Sequence, residues 1–261
     1  MVERLSHSLS RMFHNISDAI EDAKDQLSAL DGAVGDGDHG VTMSIGFQAV
    51  KAELSRRDVD AMAPADLMNA AAMAFLNSVG ASTGPLYATG LRRAAQALIG
   101  TTDTTPAAQA ALLKGIADGV RERGKGQRGD KTMLDALIPA AEAAANAVRQ
   151  SASVEQMWRA IIAAAEAGEA STRSMVASKG RAARLGERSL GHVDPGAASA
   201  VIILKAMGLT FCGDGARPMR IASDQSAASG RFPGRRFRID GLRASADGPV
   251  RSVSVHAGCF S

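Results

Sequence analysis

Leu5, Leu9, Met12, Ile16, Ile20, Ala23, Leu27 and Leu30 recur at intervals of three and four residues, the spacing that lays apolar side chains along one face of an α-helix. The interval returns in seven more segments. Met43, Phe47, Val50 and Leu54 mark a second helix, and Leu67, Ala71 and Phe75 a third with Pro64 in its first turn. Leu86, Leu91, Ala95 and Leu98 mark a fourth after Ser82-Thr83-Gly84-Pro85, and Thr105-Pro106 opens a fifth through Leu113, Ile116 and Val120. Asp130 stands where it would cap a sixth through Met133, Leu137, Ala141 and Val148. A seventh covers residues 153 to 177, and Asp194-Pro195 caps an eighth carrying Ala198, Val201, Ile202 and Met207. Aromatics are only 3%, and no stretch alternates β-branched residues with period two, so there is little material for a sheet. The expected fold is all-α, an antiparallel bundle or barrel of eight helices.

Short connections make consecutive helices antiparallel, so alternate connectors share one end of such a bundle. That parity sorts the chemistry. One end receives the connectors entering helices two, four, six and eight: residues 31 to 40, Ser82-Thr83-Gly84, residues 124 to 130 and residues 181 to 194. Four helix N-termini, with their free N–H groups and positive dipole ends, converge there, where an anion is favoured. The opposite connectors carry no evident chemistry.

The first of these loops, Asp31-Gly32-Ala33-Val34-Gly35-Asp36-Gly37-Asp38-His39-Gly40, is the densest. Its glycines let a tight turn bring Asp31, Asp36 and Asp38 toward one point, and three crowded carboxylates need a cation. Oxygen-only ligands suit a hard ion, and Mg²⁺ in particular takes a few carboxylates together with substrate phosphates. Gly35-x-Gly37-x-x-Gly40 also spells the dinucleotide fingerprint, but that motif must follow a strand, and this one follows a helix. A calcium loop starting at Asp36 would put Val41 where glycine is required.

The net charge of +3 is uneven. Residues 211 to 261 hold eight Arg against four Asp, a local +4 that leaves residues 1 to 210 at −1. A near-neutral body with one Trp and one Tyr gives no basic, aromatic face for nucleic acid. Cys212 and Cys259 both lie beyond the helical pattern, which argues against a disulfide framework and for the cytoplasm. No apolar run approaches membrane-spanning length. Residues 209 to 261 lose helical period altogether and read as an appendage without fixed structure, with a small basic interaction arm as the alternative.

Gly35-Asp36-Gly37-Asp38-His39-Gly40, Ser78-Val79-Gly80 through Gly84-Pro85-Leu86, Gly129-Asp130-Lys131-Thr132-Met133, and Gly180-Arg181-Ala182 through Gly191-His192-Val193-Asp194-Pro195-Gly196-Ala197 follow one another in order. Together they resemble the L subunit, or nucleotide-binding domain, of dihydroxyacetone kinases, over residues 1 to 208. The resemblance implies an eight-helix antiparallel barrel with Mg-ADP or Mg-ATP at one end. It implies that Asp31, Asp36 and Asp38 hold two Mg²⁺, that His39, Thr42, Ser82 and Thr83 contact phosphates, and that Gly40 belongs to the nucleotide-binding set. Gly124, Met133, Arg181 and Asp194 would hold the rest of the nucleotide, and Asp130-Lys131 reads as a cap with a phosphate contact. The implied partners are a K-type subunit that carries the keto-sugar, a phosphocarrier M-type subunit and a second copy in a homodimer. Dihydroxyacetone is the expected acceptor, with a four-carbon ketose such as erythrulose, or an ADP-binding module without turnover, as alternatives.

Overall fold

The computed structural model of the chain describes residues 4–80 and 82–213. These form nine α-helices: α1 (Leu5–Asp22), α2 (Lys24–Gly32), α3 (His39–Leu54), α4 (Pro64–Ser78), α5 (Thr83–Ala97), α6 (Pro106–Gly124), α7 (Leu134–Arg149), α8 (Val154–Ser171) and α9 (Pro195–Cys212). Among the described residues there is no strand, only an isolated bridge between Arg4 and Asp103. The protein is all-α. From α3 to α9 each helix packs on its successor, α9 packs on α1, and α1 packs on α3, so the packing order closes a ring of eight with α2 lying against α3 and α9.

Local chemistry accounts for most helix starts. Thr105 accepts the Ala108 N–H at 3.1 Å, Asp194 accepts that of Ala197 at 2.7 Å, and Ser153 and Gln156 form a reciprocal capping box at α8. The apolar stripes face inward as their spacing requires. Leu9, Ile20, Leu27, Met43, Phe75, Leu112 and Ile161 are fully buried, each stabilising the fold by about 1.5–3 kcal/mol relative to exposure. Phe47, Phe75 and Tyr87 pack together with ring centroids 5.1 to 6.0 Å apart.

Four features depart from the periodicity reading. The first expected helix is two, broken at Ala23 (φ −95°, ψ 2°), which re-aims α2 against α3 without any helix-breaking residue. The α8 helix stops at Ser171 rather than reaching residue 177, because the Thr172 hydroxyl turns back to the Glu169 carbonyl at 2.6 Å and accepts the Asp194 N–H at 3.0 Å. The long connector that follows has structure of its own, the 3-10 turns Thr172–Ser174 and Ala182–Ser189.

Finally, α9 continues past residue 208 to Cys212, with Thr210 buried and Phe211 stacked on Trp158 at 5.6 Å. The last helix therefore takes in the first four residues of the expected tail and one of its two cysteines. The reading of the rest as unstructured falls on residues 214–261, outside the described residues. This helix has the length and apolarity of a short membrane span, contrary to the run-length expectation, but 72% of it is buried inside the fold. Packing against α1, α7, α8 and α2 explains why it is apolar nearly all round.

Candidate functional site

The connectors into α3, α5, α7 and α9 line one cavity of about 790 Å³, as helix parity predicts. Asp31 is buried in the last turn of α2, whereas Asp36 and Asp38 are exposed in the loop that follows. Between them Gly37 takes φ +78°, a left-handed value that folds the loop back and that a side chain would resist. One carboxylate oxygen from each aspartate then lies within 4.8 Å of the others. Like charges at that separation repel unless a cation intervenes.

Arg181, from the connector between α8 and α9, supplies one. Its Nη1 pairs with Asp36 and lies 3.1 Å from Asp38 Oδ2. A guanidinium bridging two of the three carboxylates shows that this loop accepts positive charge, and the donor chemistry of the trio fits a hard divalent ion.

His39 opens α3. Its backbone N–H donates to Asp31 Oδ2 at 3.2 Å, and its ring Nε2 lies 2.9 Å from Ser199 Oγ. The Ser199 hydroxyl donates to the Gly196 carbonyl at 3.0 Å, so in that pairing Nε2–H is the donor and Ser199 Oγ the acceptor. Burial lowers the imidazole pKa against the opposing charges of Asp31 and Asp38, which keeps the ring neutral near pH 7. Asp194, also on the wall, is pushed up to about 7 by burial, with Asp135 adding to the rise and the Ala197 N–H and Lys131 opposing it.

Of the residues expected to hold a nucleotide, Thr42, Ser82, Thr83, Gly124 and Met133 line the cavity with His39, Arg181 and Asp194. Gly40 does not. It is buried under the site, where an added Cβ would fall 1.9 Å from the Lys24 carbonyl, so it serves the close approach of α3 to α2. The N-cap residues of α3 and α5, Asp38 and Ser82, make no side-chain cap bond, and at the start of α3 the Asp31 carboxylate takes the His39 N–H; first-turn N–H groups left over favour an anion. Val79, Leu86, Val120 and Leu134 make part of the wall apolar. A pocket with an apolar wall and a charged end suits a ligand with a flat apolar part and an anionic part.

Asp130 and Lys131 depart from their expected roles. Asp130 accepts from the Gln127 N–H at 2.8 Å and from the Ser178 hydroxyl at 2.7 Å rather than capping α7. The turn into α7 is held instead by Asp135, which accepts from the Gly129 and Thr132 N–H groups. The Lys131 ammonium is taken up by backbone carbonyls. Sequence reasoning also missed Ser199, whose partner His39 lies 160 residues away and leaves no local signal.

A family model described as the DAK2 domain matches residues 33–208. The chain belongs to the DAK2-domain family. Its DAK2 domain contains Asp36 and every cavity-lining residue except Asp31, which sits two residues before the matched segment. The ADP-binding subunit DhaL of the PEP-dependent dihydroxyacetone kinase of Escherichia coli is 38% identical over 195 residues, 74% of this chain and 90% of the relative. The corresponding subunit of PEP-dependent dihydroxyacetone kinase 2 of Listeria innocua is 36% identical over 188 residues, 72% of this chain and 87% of the relative. Among solved structures, the dihydroxyacetone kinase of C. freundii in complex with AMP-PNP and Mg²⁺ superposes with a TM-score of 0.60 at 26% identity. That match covers 76% of this DAK2-domain chain but only 33% of the longer polypeptide.

Proposed function

We propose that the cavity binds a magnesium nucleotide and that the chain is the nucleotide-binding subunit of a kinase of the dihydroxyacetone type. The observation that carries this reading is that three carboxylates lie within 4.8 Å of one another, two of them, Asp31 and Asp38, on the wall of a cavity that also meets the starts of α3 and α5. Asp31, Asp36 and Asp38 would hold the metal, two ions by the family resemblance. Bound magnesium neutralises phosphate charge and so eases phosphoryl transfer. The N–H groups of the first turns of α3 and α5, with the Thr42, Ser82 and Thr83 side chains, take phosphate oxygens. His39 stands beside them, oriented by Ser199. The apolar wall, with Gly124 and Met133, receives the base, and Arg181 and Asp194 close the sides.

The acceptor is presented by a K-type subunit docking on this end, in the cytosol where soluble phosphoryl donors reside. Without such positioning a transfer forfeits an advantage of roughly 7–11 kcal/mol. The chain with Mg-ATP and dihydroxyacetone is therefore expected to show no appreciable turnover until a K-type subunit is added. A coupled assay of the chain, the K subunit and the mixture tests this, and turnover by the chain alone would overturn the half-site reading. Erythrulose in place of dihydroxyacetone tests the four-carbon alternative, and binding without turnover in any mixture would leave an ADP-binding module.

The similarity to two PEP-dependent subunits favours a relay in which ADP stays bound and is rephosphorylated by an M-type phosphocarrier. In that case nucleotide copurifies with the chain and survives dialysis against Mg²⁺ buffer. Rapid exchange with free ATP would favour ATP as the donor.

A further inference from the structure

Lys131 is only 1% exposed, and its backbone sits at φ +59°, a conformation that a side chain adopts at a cost. Its ammonium meets four backbone carbonyls: Thr172 at 2.9 Å, Met175 at 3.1 Å, Ser189 at 2.6 Å and His192 at 2.7 Å. With three protons for four acceptors, at least one N–H is shared. A buried cation is tolerated only when its donors are satisfied, and here the oxygens are those of one connector. Thr172 and Met175 lie at the start of that connector, Ser189 and His192 at its end.

The intervening chain is tied to the same corner. The Ser178 N–H and hydroxyl reach the Asp130 carbonyl and carboxylate, and the Ala177 N–H donates to Ser189 Oγ at 2.9 Å. Arg181, beyond Ser178, extends to Asp36 and Asp38. We propose that Lys131 is a positioning residue, an internal ammonium clasp that closes residues 172–192 into a loop and so presents Arg181 to the acidic trio. Lys131 borders the cavity, but its ammonium is held by these carbonyls. Its effect on the loop is independent of the nucleotide reading, whereas its effect on binding rests on that reading.

The loop carries its own reporters, since Lys179, Arg181, Arg184 and Arg188 are trypsin sites. K131M keeps the bulk of the side chain and removes every proton donor. It is expected to retain helical circular dichroism, to be cut at those four sites about tenfold faster or more as the opened loop becomes populated, and to lose Mg-ADP affinity. In K131A, n-propylammonium replaces the atoms removed and should restore both slow cleavage and affinity, while tetramethylammonium, which has no N–H, should not. Wild-type cleavage of the loop in K131M and K131A would overturn the proposal. So would cleavage spread through the helices with loss of helical signal, which would assign Lys131 to the stability of the whole bundle. If wild type fails to bind Mg-ADP, the nucleotide reading falls, and the cleavage and rescue results still decide the clasp.

Discussion

Asp36 and Asp38 are about half exposed, as is the Arg181 that bridges them, and exposed ion pairs contribute only about 0–1 kcal/mol. Changing either aspartate to asparagine should therefore spare the fold and remove only ligand charge. Mg-ADP at a hundred times its Kd is expected to stabilise wild type by about 2.7 kcal/mol, raising its melting temperature, whereas D36N and D38N should show little shift. Equal shifts in all three proteins would contradict the metal assignment. A second test concerns Asp194, whose carboxyl is pushed up to about 7 by burial. A carboxyl with a raised native pKa binds more protons folded than unfolded, so its contribution is fully present below the unfolded value, about 4, and is lost as pH rises through about 7. D194N keeps an oxygen to accept the Ala197 N–H and should lack this falling component. Urea midpoints of the nucleotide-free proteins between those pH values measure the difference, and parallel curves would refute the raised pKa.

At the scale of the helix, the site depends on α2 and α3 lying close enough to set Asp31 beside the loop. Gly40 makes that approach possible, with an added Cβ 1.9 Å from the Lys24 carbonyl and 2.7 Å from Ser28 Oγ. G40A must push the two helices apart and is expected to cost about 1–3 kcal/mol, the usual range for overpacking, and to weaken Mg-ADP binding by displacing Asp31. The same change at Gly80, where nothing lies within 4 Å, should leave the urea midpoint nearly unchanged. Equal midpoints for the two variants would show that the contact is not limiting. Gly40 was legible in the sequence as part of the motif, but its service to helix packing was not, because a glycine that admits a ligand and one that admits another helix are spelled alike.

Across the whole molecule, the ring closes only because α9 returns to α1. The Arg11 guanidinium donates to the Thr210 carbonyl at 3.1 Å, and the Asn15 amide donates to the Thr210 hydroxyl at 2.9 Å. Truncation after Leu209 removes these bonds and the Phe211 ring on Trp158, and should cost about 2 kcal/mol or more from lost burial and hydrogen bonding. Truncation after Gly213 removes only the segment without helical period and should change neither melting nor nucleotide binding. Thermal melts of the two truncations beside the full chain separate them. A large loss on truncation after Gly213 would show that residues beyond 213 contribute to the fold.

The sequence by itself determined the all-α class, most helix starts and, through helix parity, which four connectors share an end. It also determined the acidic trio, since Asp36-Gly37-Asp38 is a local turn and Asp31 lies only five residues before it. These depend on interactions within a few residues, and periodicity and capping record such interactions directly. Only the tertiary structure decided the break at Ala23, the service of Gly40 to helix packing, the reach of α9 to Cys212, the hold of Ser199 on His39 and the clasp at Lys131. The partners of Lys131 lie 41 to 61 residues away. Contacts of that separation exist only once the helices have packed, because the same letters satisfy the same local patterns whichever carbonyls the buried ammonium later meets.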